Sequence, residues 1–299
     1  MGTRMEVAEG LERGAPADEI DPGSFLRNLT RELAAGDIRL PSFPDIAARV
    51  QRVLEDPAAA SVRVALVVGS DAALAARILR LANSAFLNPT ALQIKDLKVA
   101  LTRLGHQLVR CTAVAFALQQ MTLGSSEADI RPQLKELWRN GALVASIAFV
   151  LARETRAANP EEALMTGLMH NIGQLYITLR APRRSELRVG IQAWADVVRD
   201  CHPRIASSIL RHWEFPPTIV AAVGDQNSWD REGHGEDGLG DILIAAVTLA
   251  PCVFQRELLA DTVAAVTAFQ RLGLGADHCE RLLAACAEQI KLLRAALSA

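Results

Sequence analysis

The side chains in this sequence that could carry chemistry are few and dispersed. Six histidines occur, and only His170 has a polar neighbour that suggests a site, in His170-Asn171. A neutral imidazole can bind a divalent cation or move a proton near neutral pH. An amide such as Asn171 is neutral and cannot offset a metal's charge, so one imidazole beside it is not a metal site. His170 is therefore expected to be a hydrogen-bonded core or cleft histidine. Asn140 and Asn171 are expected to be polar packing residues, with binding of a small polar ligand as the alternative. His106, His212, His234 and His278 are scattered, and no role is assigned to them. Cys111, Cys201, Cys252, Cys279 and Cys286 are odd in number and widely spaced, with no Cys-x-x-Cys. Buried free thiols in a reducing cytoplasm are expected, without a disulfide framework or zinc site. The sequence contains no phosphate-binding loop, no dinucleotide fingerprint, no nucleophile elbow and no His-Glu-x-x-His.

The elements that must position these residues read as helices throughout. Half of the 299 residues are hydrophobic, aromatic residues are only 4%, and Ala and Leu dominate. Ala and Leu lose little on entering a helix, whereas β-branched and aromatic residues lose more. The formal net charge of −2 gives no overall attraction to nucleic acid or to anionic membranes. The longest strongly apolar stretch, 142–152, is short of the ~18 residues needed for a membrane span and reads as a buried helix. Residues 1–23 are polar and aperiodic and read as a flexible leader without a signal-peptide pattern.

A first helix fits Ser24 to Ala35. Others fit Pro44 to Leu54, Val62 to Val68 and the span around Leu74 to Leu81. The next pair is Ile94 to Leu104 and His106 to Met121, broken at Gly105. The polar run 124–129 marks a subdomain boundary. A long helix then fits Pro132 to Arg156. Asn159-Pro160-Glu161-Glu162 opens another, with a cap, a first-turn proline and two acids at the positive end of the dipole. That helix is expected to carry Met165, Leu168, Met169 and Ile172 together. Further helices fit Glu186 to Arg199, Pro203 to Trp213 and Pro217 to Val223. Residues 226–240 read as an acidic, glycine-containing loop, and 241–299 as three or four apolar helices completing the bundle.

Three stretches resemble the HDOD family in order and spacing. One is Leu40-Pro41 through Pro44, followed by Leu79-Arg80-Leu81-Ala82-Asn83-Ser84-Ala85-Phe86. Another is Leu137-Trp138-Arg139-Asn140, then Gly167 through Leu175. The last runs from His202 through Leu210 to Trp213, Pro216 and Ile219-Val220. The resemblance implies an all-α, multi-helix HDOD fold over 24–225. An N-terminal helical subdomain, 24–122, would pack on an HD-like bundle, 130–225. It also implies kinship with HD phosphohydrolases, whose chemistry needs a His, an adjacent His-Asp pair and a later Asp around one or two divalent metals. This chain departs from that pattern at Asn140 and at Asn171. His202 matches a histidine frequent in the family at a helix start, and with Pro203 at the first helical position it is expected near a cap. Asn83 and Ser84 are expected to satisfy buried backbone where a helix ends.

The resemblance implies a bacterial, cytoplasmic, non-catalytic regulatory module of signal transduction that acts through protein partners, with no metal and no cofactor. Two alternatives stand beside it: a nucleotide sensor using the degenerate cleft near His170, and a residual metal-dependent phosphohydrolase. The basic stretch Arg180, Arg183, Arg184 and Arg188, together with Trp229, is the candidate partner surface. The run Leu79, Leu81 and Phe86 is expected to form core joining the two subdomains.

Overall fold

The computed structural model describes residues 24–25, 27–28, 31–32, 44–56, 61–84, 87–88, 92–123, 130–180, 191–229, 238–285, 287–288, 290–291 and 294. Among these residues there is no strand. The helices are α1 (Asp45–Glu55), α2 (Ser61–Gly69), α3 (Ala72–Ala82), α4 (Leu97–Leu123), α5 (Arg131–Thr155), α6 (Pro160–Met169), α7 (Ile172–Arg180) and α8 (Ile191–His212). They continue with α9 (Pro217–Gly224), α10 (Leu239–Cys252), α11 (Leu259–Ala265), α12 (Thr267–Arg271) and α13 (Ala276–Ala285). The described residues between 24 and 32 are also helical. The leader, the 124–129 boundary, Phe86 and the stretch 181–190 lie outside the described residues.

Local chemistry sets most of the boundaries. Asp71 Oδ1 accepts from the backbone N–H groups of Ala73 and Leu74, at 2.9 and 3.0 Å, and opens α3. Asp96 does the same for Lys98 and Val99, so α4 starts at Leu97 and not at Ile94. Within α4, Gly105 adopts φ 70° and ψ 167°, a conformation that favours glycine, and kinks the run into two helical stretches. Asn159 accepts from Glu162 N at 2.9 Å and caps α6.

The bundle is centred on α5 and α6, with α10 packed on both. Every residue from Gly141 to Ala152 is buried, so this stretch is a core helix rather than a spanning one. Among the described residues no helix is long and apolar enough to cross a membrane. Gly167 lets α6 approach α5 closely, since a Cβ there would stand 2.5 Å from Ala145 Cα. On the far side α7 packs on α8, and α8 on α9.

The N-terminal helices α1, α2 and α3 pack on α4, and α4 in turn packs on α5 and α6. This corrects one expectation. Leu81 is buried, and Leu79 is packed against the core. Yet α3 packs mainly within its own layer, and the helix that joins the two halves is α4.

Candidate site at the junction of α6, α7 and α8

His170 and Asn171 lie in the turn between α6 and α7, not inside one continuous helix. Met169 and Ile172 therefore belong to different helices. The break is held from outside. Gln226, itself only 1% exposed, donates Nε2 to His170 O at 2.9 Å and to Val223 O at 2.8 Å. The carbonyl that an unbroken helix would use internally is thus bound by a side chain from beyond α9. On the other flank Gly173 lies directly against the backbone carbonyl of His202, leaving no room for a Cβ.

The His170 ring is 3% exposed, and its Nδ1–H donates to Gly167 O at 2.7 Å. That bond fixes the tautomer and leaves Nε2 as the bare nitrogen. Burial pushes the imidazole down to about 4 despite the Gly167 bond, so the ring is neutral at physiological pH. Asn171 is also buried. Its Nδ2 donates to Leu137 O on α5 at 2.6 Å, and its carboxamide packs against Gly141 one turn further along. Asn140 stands on the exposed face of α5, and its side chain makes no hydrogen bond among the described residues.

His202 corrects another expectation. It is not at a helix start but inside α8, which runs unbroken from Ile191 to His212 with Pro203 within it. A proline inside a helix leaves the carbonyl four residues back without its donor. That carbonyl is Arg199 O, and Asn227 Nδ2 supplies the missing bond at 2.8 Å. His202 is 3% exposed, and its Nδ1 has no hydrogen-bond partner among the described residues. Burial, and then the neighbouring His170 ring, push it down to about 3. The structure therefore brings His170, Asn171 and His202 together around one junction and leaves Asn140 on the surface.

This arrangement does not fit a divalent metal. Two imidazoles are present, but the neighbouring Asn171 side chain is neutral, and its Nδ2 is bonded to the Leu137 carbonyl. Among the described residues no three His, Cys, Asp or Glu side chains gather as a metal-holding group.

The other residues singled out from the sequence lie elsewhere. Asn83 ends α3 and grips residue 94 at two points: Nδ2 donates to Ile94 O at 2.7 Å, and Ile94 N donates to Oδ1 at 2.7 Å. Ser84 holds backbone through its carbonyl, but its buried hydroxyl has no partner among the described residues. Arg80 is exposed, whereas Arg77, which has no mark in the sequence to set it apart from the exposed arginines, is 1% exposed. Arg77 lies over the Phe116 ring at 5.3 Å and donates to Gln119 Oε1. Burial, and then Arg80, push its guanidinium down to about 10. Arg180 donates to Tyr176 OH at 2.9 Å and pairs with Glu32 at 3.7 Å, so it is engaged within the chain. Arg183, Arg184 and Arg188 lie outside the described residues. Trp229 is 45% exposed, and its carbonyl accepts from Thr267 Oγ1. The span 226–240 is not all loop, because α10 begins at Leu239, and within the span Gln226 and Asn227 tie helix backbone.

The HDOD domain family matches residues 40–229. The chain belongs to the HDOD family. Its fold is also that of solved HDOD and HD-type proteins. A proposed metal-dependent phosphohydrolase from Shewanella amazonensis SB2B superposes with a TM-score of 0.76 at 24% identity, over 92% of this chain and 99% of that one. An HDOD domain protein of unknown function from Geobacter sulfurreducens gives 0.64 at 22%, over 92% and 98%. A proposed signal transduction protein from Marinobacter aquaeolei VT8 gives 0.59 at 20%, over 95% and 68%. In sequence, the chain is 24% identical over 196 residues to an uncharacterized protein from Treponema pallidum (strain Nichols). That match covers 62% of this chain and 37% of the other, so the HDOD chain spans little more than a third of this relative.

Proposed function

We propose that this HDOD protein is a non-catalytic regulatory module of signal transduction that works by contact with another protein. The fold is shared with a proposed phosphohydrolase and with a proposed signal transduction protein. The fold alone therefore does not choose between hydrolysis and signalling, and the choice rests on the site. The observation that carries the reading is the bond from Asn171 to Leu137 O. At the position where metal chemistry needs an anionic ligand, the side chain is an uncharged donor that ties two helices.

A protein without chemistry of its own must deliver its output by binding. On α2, Val62 and Leu66 are 45% and 69% exposed and stand one turn apart. A shallow groove beside them is lined by Arg49, Arg52 and Arg63. Exposed apolar side chains rimmed by charge mark interaction surfaces, and the arginines favour an acidic partner. The buried free thiols Cys111, Cys252 and Cys279 support a reducing compartment such as the cytoplasm.

The test is elemental analysis of the purified chain after incubation with manganese, iron or zinc and dialysis. The reading expects far less than one metal per chain. Stoichiometric metal that disappears in His170→Ala overturns it.

A further inference from the structure

We infer that the junction between the N-terminal helices and the bundle is a binding site for a zwitterion of amino-acid size, with an ammonium, a carboxylate and an apolar side chain. A cleft of about 280 Å³ lies there, away from His170. That is at the small end of ligand cavities, suited to a metabolite rather than a dinucleotide. Both halves of the molecule build it. Gln51 of α1 and Gln107 and Arg110 of α4 come from one side of the junction. Glu161 and Met165 of α6, with Ile219 of α9, come from the other.

The polar groups select the ligand. Arg110 Nε is buried and has no hydrogen-bond partner among the described residues. That nitrogen has no surface open to the cleft, so a ligand carboxylate would take its charge-assisted bonds from the terminal nitrogens of the half-buried Arg110 guanidinium, which lines the cleft. Two carboxylates line the same cleft. Glu162 Oε1 already accepts from Thr218 Oγ1 at 2.7 Å. The Glu161 carboxylate makes no hydrogen bond or ion pair among the described residues and is available to an ammonium group. A purely anionic ligand such as a phosphate would meet both glutamates, and a purely cationic one would meet Arg110. Only a ligand carrying both signs matches the lining. Phe215 and Pro216 add to the apolar wall of Met165 and Ile219, which suits an aliphatic, thioether or aromatic side chain.

Because the cleft spans α1, α4, α6 and α9, an occupant would brace the two halves against each other. Such a ligand binds the folded chain alone and raises its stability by mass action. The site would give the module an input separate from its partner surface.

The experiment is saturation-transfer NMR on the full chain with leucine, methionine and phenylalanine at millimolar concentration. The amine and the carboxylic acid that each yields on losing the other charged group serve as one-charge analogues. At least one amino acid should show saturable transfer, and its one-charge analogues should bind about tenfold more weakly or worse. Arg110→Met should weaken binding by a similar factor, and Glu161→Gln should weaken it while leaving the melting temperature near wild type. If Arg110→Met fails to fold, Glu161→Gln decides. No transfer from any of the three amino acids overturns the inference. So does a one-charge analogue that binds as tightly as its parent, or undiminished binding by a folded variant.

Discussion

Asn171 donates its side-chain amide to the carbonyl of Leu137, 34 residues earlier, at 2.6 Å. The bond joins the α6–α7 turn to α5 and uses the one atom that an aspartate in the same place would lack. A carboxylate there would set an oxygen against the Leu137 oxygen in a buried position. Asn171→Asp should therefore cost about 3–5 kcal/mol at neutral pH, the usual penalty for a buried charge without a partner. The loss should shrink at acid pH, where a protonated carboxyl can donate again. Urea unfolding at several pH values checks this, and a variant as stable as wild type at pH 8 contradicts it.

The two buried imidazoles predict acid lability. His170 and His202 are held at about 4 and about 3, below the ~6.5 of an unfolded histidine. Between about pH 6.5 and those values the unfolded chain binds more protons than the folded one. Stability is thus complete above ~6.5 and is lost as pH falls through this window, by on the order of a few kcal/mol. His202→Leu removes one of the two groups, and it costs no hydrogen bond at Nδ1, which has no described partner. The slope of melting temperature against pH below 6.5 should flatten in this variant. An unchanged slope rules His202 out as a source.

The α7–α8 contact depends on a missing side chain. Gly173 sits against the carbonyl of His202, and the nearest atoms are backbone on both sides. Ala is normally the better helix former by about 1 kcal/mol. Gly173→Ala should nevertheless destabilise, by roughly 1–3 kcal/mol as an overpacked contact. A melting temperature equal to or above wild type would show that α7 and α8 can separate without cost.

In the N-terminal layer, Leu81 is 2% exposed between α3 and its neighbours. Leu81→Ala should cost about 2–5 kcal/mol by leaving a cavity. Circular dichroism melts decide this, and an unchanged midpoint contradicts the burial.

Two surfaces can be compared for the partner contact. Charge reversal at Arg52, on an exposed face of α1, should change stability by only about 0.5 kcal/mol and weaken capture of an acidic partner. Charge reversal at Arg183 and Arg184 tests the basic stretch in the same way. Retention of the same partner by the first variant and its loss by the second would move the interface to the basic stretch.

The helical fold and the family were legible because both are written locally. Apolar spacing, caps such as Asn159 and breaks such as Gly105 act within a few residues. The continuity of α8 was also legible in principle, since Val198, Ile205 and Ile209 keep helical spacing across Pro203. The proline outweighed it because the donor that rescues Arg199 O, Asn227, is 28 residues away. The same distance hides the α6–α7 break, which depends on Gln226 binding His170 O from 56 residues on. Nor does the sequence mark Arg77 as buried. Among many exposed arginines it carries no sign of its own, and only the packing of α3 on α4 places it over Phe116. The pair Arg271 and Asp241, joined at 2.6 Å between α12 and α10, is silent in sequence for the same reason.

The His170–Asn171 junction is proposed to perform no hydrolysis. The most direct test is the rate at which purified wild-type chain cleaves bis-p-nitrophenyl phosphate with manganese present, measured beside His170→Ala. Both proteins should match the blank containing manganese alone. Turnover by the wild type that vanishes in His170→Ala would contradict it.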